Sequence, residues 1–181
     1  MDVLASIALS VGAVGALFLA ASGSSKFRRP LATARALYAA DLPSAFWLVR
    51  SLGALECVVG GAALVAAGGI GGVLWSAAFA AVAALYCAFA IFIAWALATQ
   101  KPLGSCGCAG STELPPSWVH VGANAVVAAF AAVAASVTAR PVVGGAVGVS
   151  ALRVGFLALA AYLAYVALLR TGGATRLRKT A

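Results

Sequence analysis

Long, predominantly apolar runs recur along this chain, at 3–21, 45–67, 73–98, 118–138 and 149–169. Each is at or beyond the roughly 18 residues that mark an α-helix able to cross a hydrocarbon core of about 30 Å. Inside lipid every backbone N–H and C=O needs an internal partner, which leaves helices or a closed barrel. Barrel strands would alternate in polarity over segments of about ten residues, whereas these runs are continuous. The fold class that follows is all-α, a polytopic transmembrane helical bundle. Composition agrees: 64% of residues are hydrophobic and 9% charged, against about a quarter charged in soluble domains.

The formal net charge of +8 does not point to nucleic acid. The cations gather beside the apolar runs, as Lys26, Arg28, Arg29 and Arg35 and again as Arg170, Arg176, Arg178 and Lys179. Such juxtamembrane clusters set orientation and meet anionic lipid. The expected partner is therefore the lipid bilayer, with no nucleic acid. The chain starts Met1-Asp2, without a basic segment before its first apolar run, so that run is expected to remain as a helix rather than be cleaved.

The connections differ in character. Residues 23–44 contain Pro30 and Pro43 around a stretch, 31–42, in which Leu31, Ala34, Leu37 and Tyr38 fall at helical spacing with Arg35 on the other side. That pattern predicts a short helix lying in the interface. Residues 68–72 form a tight Gly-rich turn, and 140–148 a short Gly-rich link. Small residues four apart, such as Gly12 and Ala16, favour close helix packing without identifying an interface. With five spans and an outside N-terminus, both basic clusters face the cytoplasm, and so does the connection 99–117. If 149–169 does not span, or if the first run inserts differently, that connection lies outside.

Reactive chemistry concentrates in 99–117, which carries Cys106-Gly107-Cys108. Thiols at i and i+2 can approach disulfide geometry only in a small, strained ring. Strain makes a disulfide easier to reduce and hence more oxidising. Gly107 permits the bend such a ring requires. The pair reads as a dithiol/disulfide couple. Alternatives are a Cu(I) or other soft-metal clamp, and thiols without chemistry in a structural subunit of a larger membrane complex. The soft-metal reading lacks a Met-rich pathway, since Met1 is the only methionine.

Cys57 and Cys87 lie deep in the second and third runs, about equally far from the turn between them. At 1.5 Å of rise per residue their depths differ by about 4–5 Å, so they form a possible second redox pair; the plainer reading is two small apolar side chains. Glu56 is the only acid inside a run. At that depth it faces the protein interior, either handling protons or holding a helix contact. Arg50, six residues away on a different face, is not its expected partner. His120, the sole histidine, opens the fourth run at the membrane surface of the Cys pair. There it either raises the thiolate fraction or serves as an interfacial polar residue beside Trp118. Cys106, Cys108 and His120 supply three ligands where structural zinc takes four. No metal and no cofactor is assigned.

Three stretches together resemble the DoxX-like superfamily: 18–30 (FLAASGSSKFRRP), then Tyr38 and Pro43, then 55–61 (LECVVGG). The loop Cys106 to Gly110 after the third helix resembles the branch of methylamine-utilisation protein MauE. The likeness covers roughly 12–135. Family members often carry an aromatic residue after the second cysteine, where this chain has Ala109, and Cys57 and Cys87 lie outside the family pattern. The resemblance implies a four-helix membrane domain over 1–138, with 139–181 adding a fifth helix and a basic tail. It also implies a multi-pass protein of the bacterial plasma membrane that works with a thioredoxin-like partner to mature disulfide-containing exported proteins. A cytoplasmic Cys pair would then serve an exported client by relaying electrons through Cys57 and Cys87.

Overall fold

A computed structural model describes residues 3–67, 73–103 and 116–136. Cys106, Cys108, the expected fifth span and the whole of 139–181 lie outside the described residues. The described chain is helical: α1 (Val3–Arg28), α2 (Leu31–Ala39), α3 (Phe46–Ala67), α4 (Val73–Ala98) and α5 (Trp118–Ser136). Four of these, all but α2, are long and apolar enough to cross a membrane. The expected bundle is therefore present. The bounds of α4 coincide with the third apolar run, and those of α3 and α5 differ from the second and fourth by one or two residues.

Prolines set several of the boundaries. Pro30 stands just before α2 with φ −70°, a value the first turn of a helix accepts. Pro43, Pro102 and Pro116 stand in the non-helical connections that follow α2, follow α4 and precede α5. The long helices form a ring in the order α1, α3, α4, α5, with only slight contact across the α1–α4 diagonal. One end of the bundle gathers the C-termini of α1 and α4, the N-termini of α3 and α5, and α2. Leu103 and Pro116, the described residues flanking the Cys-bearing segment, stand at this α2 end.

The core runs in tiers along the bundle. Ala8, Ala66, Trp75, Phe79 and Ala134 fill the far end, where the Trp75 indole donates to the Ala134 carbonyl at 2.8 Å. Ala16, Leu19, Ala63, Val82, Tyr86 and Ala131 fill the middle, where the Tyr86 hydroxyl donates to the Gly15 carbonyl at 2.8 Å. Ala36, Ala40, Ala96 and Leu103 close the α2 end.

The tightest packing joins α1 to α3. A Cβ on Gly23 would lie 2.5 Å from the Gly53 carbonyl oxygen, and one on Gly53 would lie 2.7 Å from that of Gly23. Gly60 meets the Ala16 carbonyl oxygen in the same way, at 2.5 Å. These contacts are backbone to backbone, so a side chain cannot be accommodated by a rotamer change. Lipid tails give helices no hydrophobic reason to associate, so such close van der Waals contact, together with polar contacts between helices, holds them together. Gly53→Ala is expected to lose about 1–3 kcal/mol by overpacking, read as a lower unfolding midpoint in mixed micelles.

Two details differ from the sequence reading. The first helix runs seven residues past the expected end at 21, through Ser22, Gly23, Ser24 and Ser25 to Arg28. That polar stretch reads as a loop, yet Gly23 packs on α3 and Lys26 finds a buried partner there. Lys26 is thus not one of the solvated juxtamembrane cations. In α2 the protein-facing side is made of small residues, Thr33, Ala34 and Ala36, while Leu31 and Tyr38 are exposed together with Arg35. Small residues permit close docking, and bulky apolar groups lose nothing by facing lipid.

The root of the Cys-bearing connection is anchored to α2. Asp41 (φ 59°) and Gln100 (φ 53°) both take left-handed backbone just past a helix end. Around them Leu42 N–H donates to the Leu37 carbonyl and Lys101 N–H to the Ala96 carbonyl, the pattern that satisfies orphan carbonyls at helix C-termini. The two terminations are bridged by an ion pair from Lys101 to Asp41. Lys101 also sits over the Trp95 ring, 5.8 Å from its centroid. Leu103 is buried against Ala36, Ala40 and Ala96.

Candidate functional site

Polar side chains inside the bundle cluster in its α2 half. Glu56 is fully buried on α3 and Lys26, 3% exposed, faces it from α1. The Lys26 ammonium donates to both Glu56 carboxylate oxygens at 2.8 Å and to Ser22 Oγ at 2.7 Å. An ammonium has three N–H groups, and these three acceptors use them all. The Phe89 ring of α4 covers the charge, its centroid 5.3 Å from Nζ. The arrangement is a satisfied ion pair shielded from lipid. Arg50 is exposed and takes no part in it, as expected.

Cys57 follows Glu56 and also faces α1. Its thiol lies 3.4 Å from Ser24 Oγ and donates to the Ala20 carbonyl at 3.5 Å. Cys87 is exposed on α4, and both are free thiols.

His120 is 4% exposed in the first turn of α5. Ser117, one turn earlier, holds Nδ1 at 2.8 Å through its hydroxyl, and Asn124 donates to the His120 carbonyl at 2.6 Å. Nε2 is buried with no hydrogen-bond partner among the described residues. A buried polar atom left unsatisfied costs about 1–3 kcal/mol, which sets this nitrogen apart from an ordinary interfacial histidine. Trp118, two residues earlier, is exposed, as an aromatic-belt residue should be.

The structure therefore brings Glu56 and Cys57 to the α1–α3 seam and puts His120 in the first turn of α5, three residues past Ser117, where the Cys-bearing connection ends. No group of three or more metal-ligating side chains occurs among the described residues. The residue missed in the sequence is Lys26. Its signal was present: Gly12, Ala16, Leu19, Gly23 and Lys26 recur at helical spacing, and all are buried. That stripe continues the first helix through the serines and delivers a cation to the lone acid of α3.

Four apolar spans closed around a buried ion pair define a multi-pass helical membrane protein. Residues 3–137 match the family model of methylamine utilisation protein MauE. The chain belongs to that family, as its motifs suggest. No curated protein and no solved structure gives a significant match.

Proposed function

We propose that this MauE-family membrane protein is a thiol–disulfide redox component of the bacterial plasma membrane, supporting maturation of an exported protein with a thioredoxin-like partner. Cys106 and Cys108 are its exchanging thiols. The observation that supports this reading is the buried Nε2 of His120, which has no hydrogen-bond partner among the described residues and lies three residues past Ser117, where the Cys-bearing connection ends. Proton transfer accompanies every thiol exchange, and an imidazole at the end of the connection that carries the thiols suits that task.

In the exchange, a thiolate of the pair attacks one sulfur of the partner's disulfide, forming a mixed disulfide and releasing one partner thiolate. The second cysteine then loses its proton and attacks the first, releasing the partner's remaining sulfur. The Cys106–Cys108 disulfide results, the partner becomes a dithiol, and two electrons have passed to it. Two protons leave this chain's thiols and two are taken up by the partner's. In reverse, the strained disulfide oxidises the partner. His120 holds or passes a proton at Nε2. Glu56, ion-paired with Lys26, acts as a positioning residue that clamps α1 to α3.

The test uses purified Cys57→Ala/Cys87→Ala protein equilibrated in glutathione buffers and labelled with maleimide. A single two-electron transition is expected, with a tenfold change in equilibrium constant per roughly 30 mV. His120→Phe should shift the pH dependence of thiol reactivity while leaving the unfolding midpoint unchanged or higher, because a buried unsatisfied polar atom has been removed. Thiols that stay reduced in every buffer, with one Cu(I) retained per chain, would assign the soft-metal function instead.

A further inference from the structure

We infer that the α2 end of the bundle is a binding surface for the headgroups of anionic phospholipids, formed by Arg28, Arg29, Arg35 and Arg50. Both acids among the described residues already have cations, Glu56 with Lys26 and Asp41 with Lys101. The four arginines are all exposed and have no carboxylate partner among the described residues. The chain order collects them at one end: Arg28 and Arg29 close α1, Arg35 is in α2 and Arg50 is in the second turn of α3. The far end has no Lys or Arg among the described residues.

Their neighbours identify the occupant. Leu31, Arg35 and Tyr38 share one exposed face of α2 at i, i+4 and i+7, with Tyr38 76% exposed. Phe46 and Trp47 stand four and three residues before Arg50, with Trp47 68% exposed. Arg35 and Arg50 are thus flanked by bulky apolar groups on a surface continuous with the lipid-facing sides of the spans. A guanidinium there extends toward the headgroup layer, and its planar fork matches phosphate oxygens two at a time. An acyl chain against Leu31, Tyr38, Phe46 and Trp47 with a phosphate on the arginines satisfies both parts of the surface. A soluble acidic partner would satisfy only the charge.

The experiment is native mass spectrometry of the full chain in neutral detergent, titrated with phosphatidylglycerol and with phosphatidylcholine of the same acyl chains. Phosphatidylglycerol should be retained preferentially, and the preference should fall as salt rises. Arg35→Gln and Arg50→Gln should each lower phosphatidylglycerol affinity about fivefold, with phosphatidylcholine unaffected. Arg35→Lys with Arg50→Lys preserves the charge, and serves if the neutral variants fold poorly. It should retain a salt-sensitive preference weakened by loss of the two-oxygen contact. Equal retention of the two lipids overturns the proposal, as does a preference that survives the glutamine substitutions. Loss of cellular function in the arginine variants without any lipid preference would make this face a docking surface for an acidic protein instead.

Discussion

Glu56→Gln is expected to lower the stability of the bundle by about 3–5 kcal/mol, the penalty for leaving one member of a buried ion pair without the other. Lys26, at 3% exposure, would be left with only neutral acceptors inside the helix seam. Lys26→Met should cost a similar amount by stranding the carboxylate. The double variant Lys26→Met/Glu56→Met removes both charges, and buried ion pairs replaced by apolar groups are often neutral or stabilising. It should therefore recover most of the loss. Equilibrium unfolding in mixed micelles reads all three. A loss below about 1 kcal/mol for Glu56→Gln, the range of exposed pairs, would mean that the pair is not buried as described. The comparison also separates two roles for Glu56. If the double variant is stable and still supports client maturation, Glu56 is a clamp; if it is stable and inactive, the carboxylate takes part in proton transfer.

Cys106→Ser and Cys108→Ser, each as the sole copy in cells, are expected to abolish maturation of disulfide-containing exported proteins. Neither single thiol can complete the exchange, because the step that releases the partner requires the second sulfur. One of the two variants should in addition accumulate a covalent adduct with a thioredoxin-like protein, visible on non-reducing gels and lost on reduction. The double variant should lose activity and show no adduct. Undiminished activity in both single variants would leave the chain a structural subunit. Cys57→Ala with Cys87→Ala, assayed in the same way, tests the relay: loss of activity supports passage of electrons through them, and retention ends that idea.

The spans were legible because lipid imposes one rule on every residue of a run. A helix crossing the hydrocarbon needs about twenty apolar residues, and the sequence displays that directly at α3, α4 and α5. The end of α1 was not legible by the same rule. Ser22, Ser24, Ser25 and Lys26 are polar, and only the presence of Glu56 on a neighbouring helix makes their burial favourable. That pairing is a property of two segments 30 residues apart, and hydropathy along one segment does not contain it. For α2 the spacing indicated a short helix but not its docked side: Thr33, Ala34 and Ala36 are the residues that fit against the bundle, and Arg35 is exposed together with Leu31 and Tyr38.

For the site, residue type identified Glu56 and His120 as outliers, because an acid or a histidine in an apolar run is costly unless it has a partner or a task. Their partners, Lys26 and Ser117, came from the fold. The Cys-Gly-Cys pair is a matter of local spacing and is read from sequence alone.

Thiol trapping in intact cells tests the central claim most directly, with a membrane-impermeant and then a permeant maleimide, before and after reduction. The redox function predicts that Cys106 and Cys108 are partly oxidised in growing cells and become fully reactive after reductant. Labelling by the permeant reagent alone would place the pair in the cytoplasm with the basic clusters, and labelling by both would place it outside. If both thiols are fully reduced and equally reactive under every condition, they do not form a redox couple, and the proposed function is wrong.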